Sequence, residues 1–236
     1  MKAIVLAGGR GARLLPYSKI LPNPLMPIGD MPILEILLRQ MKRAGVDEII
    51  ITVGYLAGLL QTFFQDGRNL GLHIAYSFEK APLGTAGPLS LVTGLDRTFL
   101  VSNGDVLTTL DIKELIKFHT EQKATATIAV HRRKVDIDFG VVQCDENFRM
   151  VGYTEKPSID YLVSMGIYVF EPRVLTYIPY NRYLDLPNLV LNMLAAGEKV
   201  IGFPYSGYWQ DLGRPDDYEY ASKDFDSMRK NFLPED

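Results

Sequence analysis

The feature that most constrains this chain is the rhythm of its first 123 residues, where short apolar runs alternate with longer segments of helical spacing. "KAIVLA" (2–7) reads as a buried strand, β-branched in part and stopped by Gly8-Gly9. Asp30 is expected to cap a helix from Met31, with Pro32 in its first turn. Leu34, Leu37, Leu38 and Met41 then repeat at helical spacing until Gly45. "DEIIITVG" (47–54) is the next strand, "YLAGLLQTFFQDG" (55–67) the next helix and "LHIAYSFE" (72–79) a third strand. "TAGPLSLVTG" (85–94) is expected to be helical, "TFLVSNGD" (98–105) a fourth buried strand, and 111–122 a helix. Apolar strands joined by helices predict an α/β fold: a Rossmann-like, mixed and mainly parallel sheet with helices on both faces. Ligands of such sheets bind at the carboxyl ends of strands, and Gly8 to Arg13, Glu79 and Asp105 all fall at such ends.

After residue 124 the rhythm changes. "ATATIAVHR", "FGVVQCD", "FRMVGYTEKP" and "VSMGIYVFEP" are strand patterns joined by short turns, with hardly any room for helices. They predict a smaller β-rich lobe, antiparallel or mixed, that can close over the crevice. Helices return at 185–196 and 215–229, separated by the strand "KVIGFPY" and a "GYWQDLG" turn. With 236 residues, 47% hydrophobic content and no internal repeat or linker, the expectation is one domain over 1–236.

Composition removes several classes of function. A net charge of −3 gives no electrostatic argument for nucleic acid or an acidic membrane. The one cysteine, Cys144, cannot form an internal disulfide, and its place in an alternating strand makes it a plain core or face residue. The apolar run after Met1 is too short for a signal peptide, and no stretch is long enough to cross a bilayer, so a cytoplasmic protein is expected. No nucleophile–base pair of Ser/His or Cys/His type stands out. His73, His119 and His131 lie outside the glycine, aspartate and lysine motifs and read as surface or strand residues.

The loop after the first strand, "AGGRGARLLPYSKILPNPLMPIGDMP", opens with three glycines and two arginines and continues in a series of prolines. Glycines admit a ligand close to the backbone, and consecutive amides cradle anions. The spacing is neither GxGxxG nor a Walker loop. Arginines there would orient polyphosphate oxygens. Taken alone, the same loop is equally an ordinary turn with its arginines in water.

The wider pattern decides more. "LAGGRGARLLPYSKILPNPLMPIGDMPIL" resembles the signature of the sugar-1-phosphate nucleotidylyltransferases, and the likeness continues in order through "LGTAGPL", "NGD", "FGVV", "EKP", "GIYVF" and "WQDLG". It covers residues 1 to about 220 and is to the short catalytic-core type, without a left-handed β-helix. The resemblance implies transfer of a nucleoside monophosphate from an NTP to a sugar 1-phosphate, with Mg²⁺ as cofactor and a protein that aligns and neutralises rather than attacks. It implies a nucleotide-binding half over 1–123 and a sugar-binding half over 124–236. Leu6, Ala7, Gly8, Gly9, Gly11, Glu79, Gly84, Thr85, Asn103 and Gly104 would then surround the nucleotide, and Arg13 would hold its phosphates. Asp105 and Asp211 would hold the metal, although a lone Asp after a strand is also a common cap. Lys156, expected in extended backbone before a proline, would hold the sugar phosphate, with Glu155, Gly140 and Gly166 at the sugar. "EKAPLGTAGPL" is more like the mannose-1-phosphate guanylyltransferase branch, which implies GTP with a mannose- or heptose-type substrate; uridylyltransferases share "LGTAG". Exposed tyrosines and leucines would support a homo-oligomer.

Three positions depart from the resembled pattern. Asn23 stands where the motif has a lysine at the phosphate site, Ala12 where a threonine or serine is usual, and Ser164 where many members have asparagine. Asn23 leaves open a catalytically weakened regulatory relative that binds nucleotide sugars, and the shared core leaves open a transferase for a non-sugar alcohol phosphate. If position 23 belongs to the phosphate site, Asn23→Lys raises nucleotidyl transfer, by up to ~10²-fold on the scale of other preorganised donors. Pyrophosphate release by both forms is the measurement, and equal rates would place the residue outside that site.

Overall fold

Alternate residues of a strand face opposite ways, and in the first strand this decides how the molecule is layered. The computed structural model, which describes residues 1–11, 14–213 and 215–234, places β1 (Lys2–Ala7) inside a seven-stranded sheet. Ala3, Val5 and Ala7 pack into one core with Leu34, Leu37, Leu38 and Met41 of helix α1 (Ile33–Arg43). Ile4 packs into a second core on the opposite face, with Leu89, Phe99, Val101, Phe170 and Leu189. A sheet buried on both faces needs apolar residues at every position, which is why these strands read as continuous apolar runs.

Two short strands, β2 (Pro27–Ile28) and β3 (Met31–Pro32), pair before α1 (Ile33–Arg43). There follow β4 (Glu48–Val53), α2 (Ala57–Phe64), β5 (His73–Phe78), β6 (Phe99–Asn103), β7 (Val106–Thr108) and α3 (Ile112–Gln122). The second half adds β8 (Ala126–Asp136), β9 (Val141–Cys144), β10 (Met150–Thr154) and β11 (Ser158–Phe170). The chain continues through α4 (Leu186–Ala195), β12 (Val200–Tyr205), β13 (Trp209–Asp211) and α5 (Pro215–Phe232). The order across the large sheet is β12-β8-β11-β6-β1-β4-β5. Every neighbouring pair is parallel except the two that involve β11, so this one strand runs against the rest. The mixed, mainly parallel α/β sheet expected from the sequence is therefore present, and strands from both halves of the chain share it.

Several local expectations need correction. Asp30 does not cap α1; it sits in the β2–β3 turn and pairs with Arg229 of α5 at 2.6 Å, while Pro32 holds the helix's N-cap position. The helix expected over 85–94 is a short 3-10 turn, Gly87–Leu91, because Pro88 and the packing of 84–87 against residues 182–184 leave no room for a longer one. "GYWQDLG" is more than a turn: its Trp209–Asp211 forms β13 and pairs with β7. Lys156 is not extended but has φ +42, in the tight connection between β10 and β11. His119 is buried on α3, with Nδ1 2.8 Å from Thr127 Oγ1 and Nε2 3.1 Å from Glu171 Oε1, so it is a core residue of a helix. Cys144 is an exposed face residue of β9, one of the two places expected for it. The strand beginning at Val163 starts earlier, at Ser158, since β11 and β8 run on together as a two-stranded arm with partners Ser158↔Asp136 to Ser164↔Val130. The separate β9–β10 hairpin lies between them in sequence.

A third core joins α5 to the loop after β1 through Met26, Ile28, Leu107, Leu212, Phe225 and Phe232. One buried polar group ties this layer down. Gln40 of α1 donates from Nε2 to the carbonyls of Thr108 (2.8 Å) and Phe232 (3.2 Å). Gln40→Leu keeps the volume but removes this donor from both carbonyls, and urea unfolding should show a loss of about 1–3 kcal/mol.

Candidate active site

The loops that follow β1, β4, β5 and β6 meet because those four strands are parallel and in register. Leu6 pairs with Thr52 on one side and Asn103 on the other, so the three strands end at one level. From β1 the chain moves outward through β4 and β5, then returns to lay β6 on the other side of β1. The loops after β1 and β6 consequently diverge, and a crevice opens at this switch point. A cleft of about 470 Å³ occupies it.

Twelve of the sequence-predicted site residues line this cleft: Leu6, Ala7, Gly8, Gly9, Gly11, Asn23, Glu79, Gly84, Thr85, Asn103, Asp105 and Asp211. Two more support it. Gly104 donates its backbone N–H to Leu6 O at 3.0 Å, clamping the two diverging loops together. Gly166 in β11 lies against the Asn103 side chain, with no room for a Cβ. Arg13 lies outside the described residues, as does Ala12.

The glycines are where they are for close approach. A Cβ on Gly8 would collide with Glu79 Oε1, and one on Gly11, at φ +60, would collide with Asn23 Oδ1. Glu79 follows β5, its N–H bonded to Val53 O, and its Oε2 accepts the Leu83 N–H at 2.9 Å. Burial raises the Glu79 pKa, and the Leu83 hydrogen bond only partly offsets this.

Asp105 and Asp211, 106 positions apart, are brought together by a two-strand ladder. β7 and β13 pair antiparallel with Val106 opposite Asp211, and Leu212 N–H donates to Asp105 O at 2.9 Å. Asp105 Oδ2 accepts from Asn23 Nδ2 at 3.4 Å, and Asp211 Oδ1 accepts from Gly213 N–H at 3.0 Å. No cluster of three His, Cys, Asp or Glu side chains is formed among the described residues. The donor set at this end is therefore two carboxylates and an amide, all oxygen-bearing, which suits a hard divalent cation rather than zinc or copper.

The remaining predicted residues sit elsewhere. Gly140 and Glu155 gather around Tyr153, whose hydroxyl donates to Glu155 Oε2 at 2.9 Å, and Lys156 follows on the same exposed β9–β10 segment. None of the three lines the cleft. Ser164, one of the departures, bonds inward: its Oγ is 3.0 Å from Tyr168 Oη and accepts from Gly166 N–H.

Sequence reasoning missed Pro24, Thr52, Pro82, Pro88 and Tyr183, which also line the cleft. Thr52 carried a signal, a lone polar residue in the apolar run of β4; its Oγ1 reaches Val5 O at 3.3 Å. Tyr183 carried none. It belongs to a brace in which Tyr183 Oη donates to Asp185 Oδ2 at 2.7 Å, while Asp185 Oδ1 accepts from Thr85 N–H at 3.1 Å. Thr85 Oγ1 in turn accepts from Leu186 N–H at 2.8 Å. The loop 83–87 is thus held by residues 100 positions downstream. No helix among the described residues is long and apolar enough to cross a membrane.

Comparison with known proteins bears on this arrangement. The chain is 37% identical over 229 residues to the mannose-1-phosphate guanylyltransferase of Mycobacterium tuberculosis, covering 94% of this chain and 64% of that protein. It is 35% identical over 242 residues to the UTP–glucose-1-phosphate uridylyltransferase of Synechocystis, covering 94% and 62%. The chain thus spans a little under two thirds of the length of these curated relatives. A solved structure from Bacillus anthracis, of a protein assigned as a glucose-1-phosphate thymidylyltransferase and bound to sucrose, superposes with a TM-score of 0.76 at 26% identity over 94% of both chains. The profile of the nucleotidyl transferase family matches residues 2–227, and the chain belongs to that family.

Proposed function

We propose that this chain transfers a nucleoside monophosphate from an NTP to a sugar 1-phosphate, giving a nucleotide sugar and pyrophosphate. The observation that carries the reading is the convergence of the glycine loop, Glu79 and the Asp105–Asp211 pair on one cleft at the switch point of the sheet. Such chemistry needs no protein nucleophile; it needs the reacting groups aligned and their charge neutralised. The backbone of Gly8, Gly9 and Gly11 lies open to a polyphosphate, and the loop 83–87 is braced to receive a base. Asp105 and Asp211 are the residues that would hold a divalent cation, for which Mg²⁺ is the proposed ion. Bound there, it would withdraw charge from phosphate oxygens.

Arg13 is proposed to act on the NTP phosphates. Lys156 is proposed to hold the sugar phosphate, with Glu155, Gly140 and Gly166 toward the sugar. That assignment requires the sugar phosphate to reach from the cleft to the β9–β10 segment. The test is pyrophosphate release from each NTP with a panel of sugar 1-phosphates. At least one pair should turn over, and Asp105→Asn should lower its rate by about 10²-fold or more. Release from no pair would refute the reading.

The proposed pair is GTP with a mannose-type sugar 1-phosphate. Support comes from Glu79, a carboxylate at the mouth of the base region, because guanine offers two N–H donors on one edge where uracil and thymine offer one. The carboxylate accepts both only while ionised, and burial raises its pKa. As pH falls through that raised value Glu79 gains a proton and stops accepting fully, so preference for GTP over UTP should shrink at low pH and be complete above it. Glu79→Gln should cut the GTP/UTP ratio of kcat/KM by about tenfold and flatten its pH dependence. An unchanged ratio would exclude Glu79 from base selection.

A further inference from the structure

Two buried oxygens beside the glycine loop have no hydrogen-bond partner among the described residues, Asn23 Oδ1 and Ser18 Oγ. Buried polar atoms are nearly always satisfied, so each asks for an explanation. Asn23 is 9% exposed and lines the cleft from the 3-10 turn Asn23–Leu25. Its Nδ2 lies 3.4 Å from Asp105 Oδ2, long for a hydrogen bond to a carboxylate. Its Oδ1 is directed instead at Gly11, and Ser18 Cβ lies on that same side, 3.0 Å from where a Cβ on Gly11 would stand.

We propose that Asn23 is a third oxygen ligand, through Oδ1, of the divalent cation held by Asp105 and Asp211; this rests on the nucleotidyl-transfer reading of the same cleft. The two ends of a carboxamide are alike in size, so the group can turn over within unchanged packing. Turned, it sets Oδ1 against Asp105 Oδ2 at a separation close to that of adjacent oxygens around Mg²⁺, roughly 3 Å for ligands at ~2.1 Å and a right angle. Two such oxygens repel unless a cation lies between them. The displaced Nδ2 then faces Gly11, on the side where Ser18 Cβ lies. The cation thereby gives a partner to the orphaned Asn23 Oδ1. A lysine at this position, as in the resembled motif, would repel a cation from the same place; a neutral amide oxygen does not.

The test uses the intact chain without nucleotide and Mn²⁺ alone as the probe, with free Mn²⁺ counted by electron paramagnetic resonance. Asn23→Leu, of similar volume but lacking the oxygen, should weaken Mn²⁺ binding by about tenfold, the scale on which metal sites lose affinity with one supporting group. Asn23→Asp keeps the shape, adds charge and should tighten binding. Thermal melts without metal report whether the leucine variant folds; if it does not, the aspartate variant decides, and unchanged or weaker binding there overturns the proposal. Unchanged affinity in a folded Asn23→Leu, with binding abolished by Asp105→Asn, overturns the role of Asn23 and leaves the carboxylate pair and the transfer reading standing. Absence of Mn²⁺ binding by the unmodified chain also overturns it. Failure of the transfer reading shows separately, as no pyrophosphate from any substrate pair.

Discussion

Everything at the candidate site hangs on β1 being paired in parallel on both its edges. Parallel neighbours cannot be joined by tight turns, so the chain must cross over between them and come back in register. The register here, Leu6 beside both Thr52 and Asn103, brings three strand ends to one level. Loops that leave from one level but in opposite directions open a cleft without any further device. The backbone bond from Gly104 to Leu6 then fixes how far the two loops separate.

A second, much smaller pairing completes the polar end of that cleft. β7 and β13 are three residues each, yet their antiparallel register puts Asp211 beside the residue that follows Asp105. Strands this short do not hold by themselves. They are secured by the core formed with α5, in which Leu107 and Leu212 pack with Phe225 and Phe232, and by Gln40, which binds the ends of both layers. The helix that lies farthest along the chain is therefore part of what positions the two carboxylates, although none of its residues lines the cleft.

The asymmetry between the two groups of predicted residues has a similar cause. Residues at strand ends of the large sheet converge, because the sheet dictates where they point. Gly140, Glu155 and Lys156 flank a two-stranded hairpin outside that sheet, and Gly140 and Glu155 gather around Tyr153 instead. In the sequence both groups looked alike: short motifs after strand patterns. Periodicity made the strands legible and Pro88 was visible, but the collapse of 85–94 into a 3-10 turn depended on contacts with 182–184 that no local pattern announces. The same holds for His119, whose burial follows from the face of α3 that meets Thr127 and Glu171, and for Asp30, drawn away from its helix by Arg229.

By itself the sequence determined the class of the fold, the order of most elements and the identity of the glycine loop. These follow from properties a short window carries: apolar periodicity, glycine stops and the spacing of motifs. Only the tertiary structure decided that Asp105 and Asp211 share a cleft, that Tyr183 and Asp185 brace the loop at Thr85, and that Asn23 buries an oxygen without a donor among the described residues. Each of these depends on which surfaces meet after more than about 80 residues of intervening chain have folded, and contacts at that range are set by the packing of whole layers rather than by local preference.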